Sequence, residues 1–597
     1  MEAKEQALSY IKGQKIYKIP FFQRTYVWNQ DNWEAIWDEL SSPQEDCFLG
    51  AIILKAEPGL TREVTYKAVV DGQQRLTTLT VLLRAMNDHL YSGDLEDDYE
   101  NFLFYTKTVK TAEGKRKERK YKLMHSHVDS EAYQDVIDGK YATAFAENHQ
   151  IDENAHSIVR CYQYFRKRLE EATDEQIEHA ENKLTLDTSK ILVFIELNER
   201  ENEQAIFDTI NSAGVKLTTA DIIKNALYQH LLSLRDKYDG EQEVTDFYED
   251  TWKKTFEADN AKLKMWLETK GVGHNVRTNI DLFFHTYAQA KGFFDAATDK
   301  VSELAGKYKK QLDGMSKEAT MQFIREICDY AVKYANIFIG FDSLKGYSYS
   351  DDRTRLLQIL NAMHIAVFDP YILKQIMTVE EEAEQSRAFR KLESFVLRNY
   401  VIGNSTRQYN KQVSEMLQGK FDFDAHLADE SISDEKIRAA LRYMPVNKRA
   451  GLVLFWIELH RHTNEKSDLF DVDLTYSFEV EHVMPQAWRQ YWGIADLPVF
   501  SESGEKLEGE AAEKARTLAV YALGNMTLLR SRLNKEIQNY PFKDKVNGVK
   551  GKKGLRAHTS FSITKDVVDS ASWNEAVIWK RTDDLTEEFL ELWPIKI

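Results

Sequence analysis

The sequence predicts an α-rich α+β protein of several domains, and three observations carry that expectation. At 597 residues the chain exceeds what one hydrophobic core usually supports. Hydrophobic residues make up 43% and prolines number only 9, with runs of Leu, Ile, Glu, Lys and Ala that favour helix over strand. From about Leu227 to Gln408 apolar residues recur almost continuously at helical spacing, as in Phe283, Phe284 and Tyr287 and again in Phe323, Ile327 and Tyr330. The strand-like segments fall outside that stretch, so the expected domains are 1–226, 227–408 and 409–597. No Gly/Ser-rich linker and no internal repeat separates them, which predicts domains that pack tightly.

The N-terminal elements follow in order. After Ile19-Pro20-Phe21-Phe22-Gln23-Arg24-Thr25-Tyr26-Val27-Trp28, residues Trp33, Ile36, Trp37 and Leu40 fall at i, i+3, i+4 and i+7, one buried helical face. Two β-branched segments, 48–54 and 66–70, flank a Pro58-Gly59 turn and predict a small sheet. Asp71-Gly72-Gln73-Gln74-Arg75 then leads into a helical pattern at 76–86. A strand, a glycine turn and a helix start together suit an anion, because free amides and the helix dipole favour a phosphate and Gly72 allows close approach. Arg75 would add a forked pair of hydrogen bonds. The competing reading pairs Arg75 with Asp71 and leaves the glutamines solvated. No Gly-Lys pair in the chain is followed by Ser or Thr, which excludes a P-loop. Further on, Thr218 is placed to cap a helix from Thr219, with Asp221 completing the box after a turn at Gly214.

Charge restricts the partners. The formal net charge of −17 opposes non-specific DNA binding over the whole surface, so any nucleic-acid contact must use local basic patches. Between Lys107 and Lys122 there are eight Lys or Arg against two Glu, with Glu113-Gly114 as a hairpin tip. This arm is either a solvated hairpin or a neutraliser of several phosphates. Cys47, Cys161 and Cys328 form no CxxC pair, which argues against a disulfide framework or zinc ribbon. The N-terminus lacks an apolar signal core, and no run approaches the ~18 apolar residues that span a bilayer. A cytoplasmic protein without membrane contact is expected.

Near the C-terminus Glu481-His482-Val483-Met484-Pro485 precedes Leu523-Gly524-Asn525 and Asn534. This order matches a ββα-metal nuclease. Phosphodiester hydrolysis needs a neutral imidazole to take a proton from water and a divalent cation to stabilise the leaving oxygen. Glu481 and the Asn534 carbonyl are oxygen ligands of the kind Mg²⁺ or Mn²⁺ prefers. Nine residues from Asn525 to Asn534 suit a chain leaving a second strand for a packing helix. The bland reading makes His482 a turn histidine and Leu523-Gly524-Asn525 a simple turn. His482 and Asn525 lie 43 residues apart, so a Glu- and Ala-rich insertion around 501–515 is expected to interrupt the hairpin.

Longer stretches resemble a known family. "EVEHVMPQAW", "ALGNMTLLRSRLNKEIQNYPFKDK" and "WNEAVIWKRTDDLTEEFLELWP", within 476–593, look like the C-terminal HNH nuclease domain of GmrSD/BrxU/SspE-type modification-dependent (type IV) restriction proteins, with Asn534 in place of the third-letter His. "IPFFQRTYVWN", "FLGAIIL", "VVDGQQRLTTLTVLL" and "EQAIFDTINSAGVKLTTADIIKN" resemble the same family's ParB/sulfiredoxin-like N-terminal domain, which binds and hydrolyses nucleoside triphosphate. The resemblance implies a nucleotide site at Asp71, Gly72, Gln73, Gln74 and Arg75 with Gln23 and Arg24 facing it; Asn211 and Lys224 either reach the nucleotide or are structural.

The resemblance further implies an NTP-regulated, modification-dependent DNA endonuclease of bacterial anti-phage defence. His482 would activate water, Glu481 and Asn534 would hold the metal, and Asn525 would fix the loop carrying His482. GTP or another NTP would bind the N-terminal domain, and the chain would act alone or as a homodimer on modified phage or phosphorothioate DNA. Lys543 and Lys545 are candidates for the scissile strand, and Lys550, Lys552, Lys553 and Arg556 for neighbouring DNA. In some relatives the region of Phe21, Phe22, Tyr26 and Trp28 is associated with sensing a sulfur-modified backbone; aromatics at that density equally form core. Two alternatives stand: an NTP-gated sensor or scaffold with an inactive nuclease site, and a nuclease toxic to its own host.

Overall fold

The computed structural model describes residues 2–44, 46–56, 64–111, 114–125, 127–197, 218–234, 240–271, 276–343, 347, 349, 351–464, 476–494, 497–501, 505–529, 539–549, 551–558 and 561–597. The chain forms two compact units, Met1–Glu257 with Tyr308–Ile324 and Ala258–Lys307 with Arg325–Ile597, so the helical middle is shared between them. The α-rich α+β class is observed.

The first unit is built on a six-stranded mixed sheet. Its strands are β1 (Glu2–Gln6), β2 (Lys15–Lys18), β3 (Ala51–Ala56), β4 (Thr65–Asp71), β7 (Leu123–Met124) and β8 (Leu192–Leu197), in the order β1-β8-β3-β4-β2-β7. Strand β3 starts three residues later than its apolar pattern predicts. The cause is Gly50, at φ +105°, where an added Cβ would lie 2.7 Å from the Arg75 guanidinium; the backbone turns there and the arginine fills the space. Helix α1 (Gln30–Ser41) buries Trp33, Ile36, Trp37 and Leu40 as their spacing predicts, behind an Asn29–Asn32 capping box.

Helix α2 (Gln73–Leu90) is buried along almost its whole length. It packs against helix α3 (Ser157–Glu171). Its threonines are tolerated because Thr77, Thr78 and Thr80 donate their hydroxyl protons to the carbonyls of Gln73, Gln74 and Leu76, four residues earlier. The basic segment forms the expected hairpin, β5 (Phe104–Thr111) with β6 (Gly114–Tyr121), in register from Phe104↔Tyr121 to Thr111↔Gly114. Lys122 at its base is not part of the cationic arm. It is buried, donates to the carbonyls of Gly13 and Lys15, and burial pushes its pKa down to about 8. Phe21 and Phe22 lie in an aromatic cluster with Tyr228, on helix α4 (Thr219–Ser233), and Phe21 also meets Tyr248. Tyr26 is fully enclosed, bonded to Thr78, Cys161 and Trp33. Phe22 and Tyr26 are buried, and Phe21 is half-buried.

In the second unit, helices α5 (Glu382–Ile402) and α6 (Asn447–Asn464) supply much of one large apolar core. Polar residues inside it are tied to specific partners. Glu393, 1% exposed, accepts from Arg355 Nε at 2.9 Å and from Trp593 Nε1 at 2.7 Å, joining α5 to the C-terminal end of the chain. Arg398 donates to the carbonyls of Ile432 and Trp593 and pairs with Asp434.

Removing Glu393 would leave the Arg355 guanidinium buried and under-neutralised, a change that typically costs about 3 kcal/mol or more. Glu393→Ala is therefore expected to lower the unfolding free energy by about that amount, seen as a lower denaturant midpoint. An unchanged midpoint in guanidinium titration would refute the assignment.

Candidate nuclease site and nucleotide pocket

The C-terminal motif is carried by a short antiparallel strand pair, β9 (Glu479–His482) and β10 (Met526–Leu529), with Glu481 opposite Thr527 and His482 opposite Met526. Between them the chain makes an excursion that includes helix α7 (Gly509–Val520), in the place where the sequence predicts an insertion. Helix α6 packs closely on the pair: a Cβ at Gly451 would lie 2.8 Å from Phe478 Cε2 and 2.9 Å from Val480 Cγ2. The pair is further held by helices α9 (Ser562–Val568) and α10 (Glu575–Leu592). Glu458 caps α9, accepting from the backbone N–H of Ile563 at 2.9 Å and from the Ser562 hydroxyl at 2.8 Å.

Asn525 is fully buried and uses both ends of its amide. Its Oδ1 accepts from Met484 N–H at 2.8 Å and Trp573 Nε1–H at 3.0 Å, and its Nδ2 donates to Met484 O and Val520 O, each at 2.9 Å. A further bond runs from Val483 N–H to Asn525 O at 2.8 Å. The turn that leaves His482 is thereby bonded on both its donor and acceptor sides. Gly524 is demanded by contact, since a Cβ there would fall 2.3 Å from Ile578 O on α10. Arg581, on the same helix, donates to the carbonyls of Gly524, Met526 and Ile563. Trp573, Arg581 and Tyr521 were not among the sequence candidates, because nothing in their spacing marks them.

His482 is 8% exposed, and its Nε2 has no hydrogen-bond partner among the described residues. The Tyr521 ring meets it edge-on at 6.1 Å between centroids. Burial, with Lys545 nearby, lowers its pKa to about 4, so the imidazole is neutral at pH 7. Glu481 is buried beside it. Desolvation raises the Glu481 pKa and the Lys545 ammonium opposes that rise. Lys545, on helix α8 (Phe542–Asn547), has a fully buried side chain. Its Nζ meets Glu481 Oε1 at 2.5 Å and donates to His482 O at 2.7 Å and Val483 O at 3.2 Å. The scissile-strand candidate Lys545 is thus an internal partner of the motif. Lys543, Lys552, Lys553 and Arg556 are exposed, and Arg556 also donates to Val568 O at 2.9 Å. Asn534 and Lys550 lie outside the described residues.

The donor set is compatible with a hard cation. Three oxygens, one carboxylate and two main-chain carbonyls, converge on a cation already, the Lys545 ammonium. Among the described residues no group of three His, Cys, Asp or Glu forms a metal cluster, so a divalent ion here would depend on oxygen ligands led by Glu481.

In the first unit Gly72 caps α2 with φ +90°, and a Cβ would lie 3.0 Å from Ala51 O. Around it the chain assembles Gln23, Arg24, Asp71, Gln73 and Arg75. Arg75 donates to Ala51 O at 2.6 Å, and its buried Nε has no partner among the described residues. Gln23 donates to Val69 O at 2.8 Å, while its buried Oε1 and that of Gln73 have no partner among the described residues. The glutamines are therefore enclosed, where the competing reading had them solvated. Desolvation raises the Asp71 pKa, opposed by the Gly72 N–H, Arg75 and Arg24. It lowers those of Arg24 and Arg75, with Asp71 opposing in both. Gln74 has a different job: its Oε1 accepts from Val27 N–H at 2.8 Å and its Nε2 donates to Thr25 O at 3.0 Å, pinning the first motif. Lys224 is buried and paired with Glu257 at 2.9 Å, a structural contact. Asn211 lies outside the described residues. The Thr218–Asp221 capping box forms as predicted. One turn along α2, Thr77 Oγ1 lies 2.9 Å from His125 Nε2, a histidine that reasoning from the sequence missed.

Residues 6–228 match the family model of the GmrSD restriction endonuclease N-terminal domain, and residues 431–588 match that of the GmrSD restriction endonuclease C-terminal domain. Together the matches span well over half of the chain. No curated protein matches it.

Two outcomes are expected. Asn525→Asp would place a carboxylate oxygen against Met484 O and Val520 O in place of two N–H donors, so stability is expected to fall by about 2–3 kcal/mol; an unaltered melting temperature would show that the turn does not rely on this amide. Burial holds the His125 pKa at about 4 against an ordinary 6.5. A histidine kept neutral in the fold but protonated when unfolded contributes stability that is full above pH 6.5 and lost as pH falls toward 4. Slopes approach ~1.4 kcal/mol per pH unit for one such group, and His125→Gln is expected to flatten the acid limb of a stability-versus-pH curve.

Proposed function

The chain belongs to the GmrSD restriction endonuclease family and carries its N-terminal and C-terminal domains; from that premise we propose that it is an NTP-regulated endonuclease that hydrolyses modified DNA in anti-phage defence. The observation that carries the proposal is the neutral His482, buried, with Nε2 unpartnered among the described residues, beside a carboxylate and held by the Asn525 clamp.

In this reading His482 Nε2 takes the proton from a water molecule as that oxygen attacks phosphorus. The bond to the leaving sugar oxygen breaks as the new P–O bond forms. A pKa near 4 describes the free protein; an incoming phosphodiester anion favours the imidazolium and makes the ring a stronger base in the complex. Asn525 fixes the ring by fixing its turn. Glu481 and Asn534 would hold a divalent ion, Mg²⁺ or Mn²⁺, whose chemistry when bound is to stabilise charge on the leaving oxygen. Exposed Lys543, Lys552, Lys553 and Arg556 would meet DNA phosphates, supplying affinity and salt dependence but no sequence information. At the other end of the chain, the nucleotide reading is supported by Gly72 at the start of an 18-residue helix and by groups of Gln23, Gln73 and Arg75 that have no partner among the described residues. The helix amides and Arg75 suit phosphate, and the two amide oxygens suit a hydroxyl, an amino group or a hydrated cation. Nucleotide would gate cleavage by binding two states of the protein unequally.

The test is cleavage of matched unmodified, glucosylated-hydroxymethylcytosine and phosphorothioate DNA, with Mg²⁺ or Mn²⁺ and with or without each NTP, beside His482→Ala. Modified DNA is expected to be cut with NTP present, with at least ~100-fold loss in His482→Ala. Cutting that survives the substitution would sink the proposal; equal cutting of unmodified DNA would point to a nuclease toxic to its host.

A further inference from the structure

Lys545 is the one feature of the nuclease motif that the reaction above leaves without a task. Its side chain is fully buried, and its Nζ is met by Glu481 Oε1 at 2.5 Å, His482 O at 2.7 Å and Val483 O at 3.2 Å. These three contacts match the three protons of an ammonium. The same three oxygens, a carboxylate and two main-chain carbonyls, are the ligand types of a hard divalent cation. A lysine buried to this degree must be paired, and Glu481 is the carboxylate that pairs it.

We propose that Lys545 is a tethered cation that occupies the Glu481 oxygen cluster of the free enzyme, and that a divalent ion reaches Glu481 only by displacing it. The inference rests on the reading of Glu481 as a metal ligand. Its physical basis is that a divalent ion bound to Glu481 Oε1 would lie within a few ångströms of the ammonium. Two like charges in a site screened from water repel strongly, and one carboxylate does not neutralise both. The ammonium therefore competes with the metal. Two consequences follow. Metal affinity is set by Lys545 as well as by the ligands, so the nuclease site is poorly loaded until something else draws the ion in or moves Lys545 out. The carbonyls of His482 and Val483 lose a donor when Lys545 leaves, so metal loading and the placement of the His482 turn are coupled.

The experiment is Mn²⁺ binding to the full-length protein without DNA, by titration calorimetry and by the Mn²⁺-induced shift in melting temperature. Lys545→Met and Lys545→Gln both remove the charge, and the glutamine amide retains a donor for the carbonyls should the methionine variant fail to fold. Each is expected to bind Mn²⁺ at least tenfold more tightly than the wild type and to show the larger thermal shift. Lys545→Arg, which keeps the charge, is expected to show no gain, and adding Glu481→Gln to Lys545→Gln should abolish the gain. Neutral variants that bind no more tightly than the wild type, or a gain that survives Glu481→Gln, would overturn the proposal. A failure of the underlying nuclease reading shows separately, as the absence of His482-dependent cleavage by the wild type.

Discussion

The C-terminal site depends on one side-chain amide. Asn525 satisfies two donors and two acceptors with its own two donors and carbonyl oxygen, and all four partners lie on segments that enclose the His482 turn. A buried amide with every group paired costs little to bury and a great deal to disturb, because any shift strands several polar groups at once. That constraint explains the neighbouring residues. Gly524 must be glycine so that the asparagine's own turn can lie against α10, and Arg581 must supply three carbonyls there with donors. The orientation of His482 is thus a property of the packing between a strand pair and the last long helix.

The first unit uses the same device at its own motif. Gln74 directs its carbonyl to Val27 N–H and its amine to Thr25 O, so the segment carrying Gln23 and Arg24 is bonded to the first turn of α2. With Gln74 committed to the scaffold, Gln23, Gln73 and Arg75 retain atoms around Gly72 that have no partner among the described residues. In each motif one amide is committed to the frame. Adjacent residues of the same type, Gln73 and Gln74, therefore have different roles although their spacing in the chain gives no hint of it.

Much of this was legible in the residues. The helical faces at Trp33 to Leu40, the turn at Gly72, the cap at Thr218 and the hairpin around Gly114 all arise from local rules of period and φ preference. Of the first motif's aromatics, which were open to two readings, Phe22 and Tyr26 are buried while Phe21 and Trp28 are half-buried. The roles of lysines were least legible. Lys122, Lys224 and Lys545 are buried in paired contacts, whereas Lys543 and Lys552 are exposed. A lysine's long apolar stem and charged head suit either setting, so its neighbours in space decide which applies.

The α-rich class, the order of the motifs and the residue types at the two candidate sites are legible in the chain alone, because helix periodicity, capping and glycine turns are short-range. The tertiary structure decided which of those groups are spent on the fold and which are left for chemistry. Glu481 and Lys545 are 64 positions apart and Asn525 and Trp573 are 48 apart. A contact closed over such distances depends on the whole packing of the second unit, and no local pattern encodes it. The motif near residue 481 accordingly contains a cation of its own, supplied by a lysine that is distant in the chain and that the fold places in the interior.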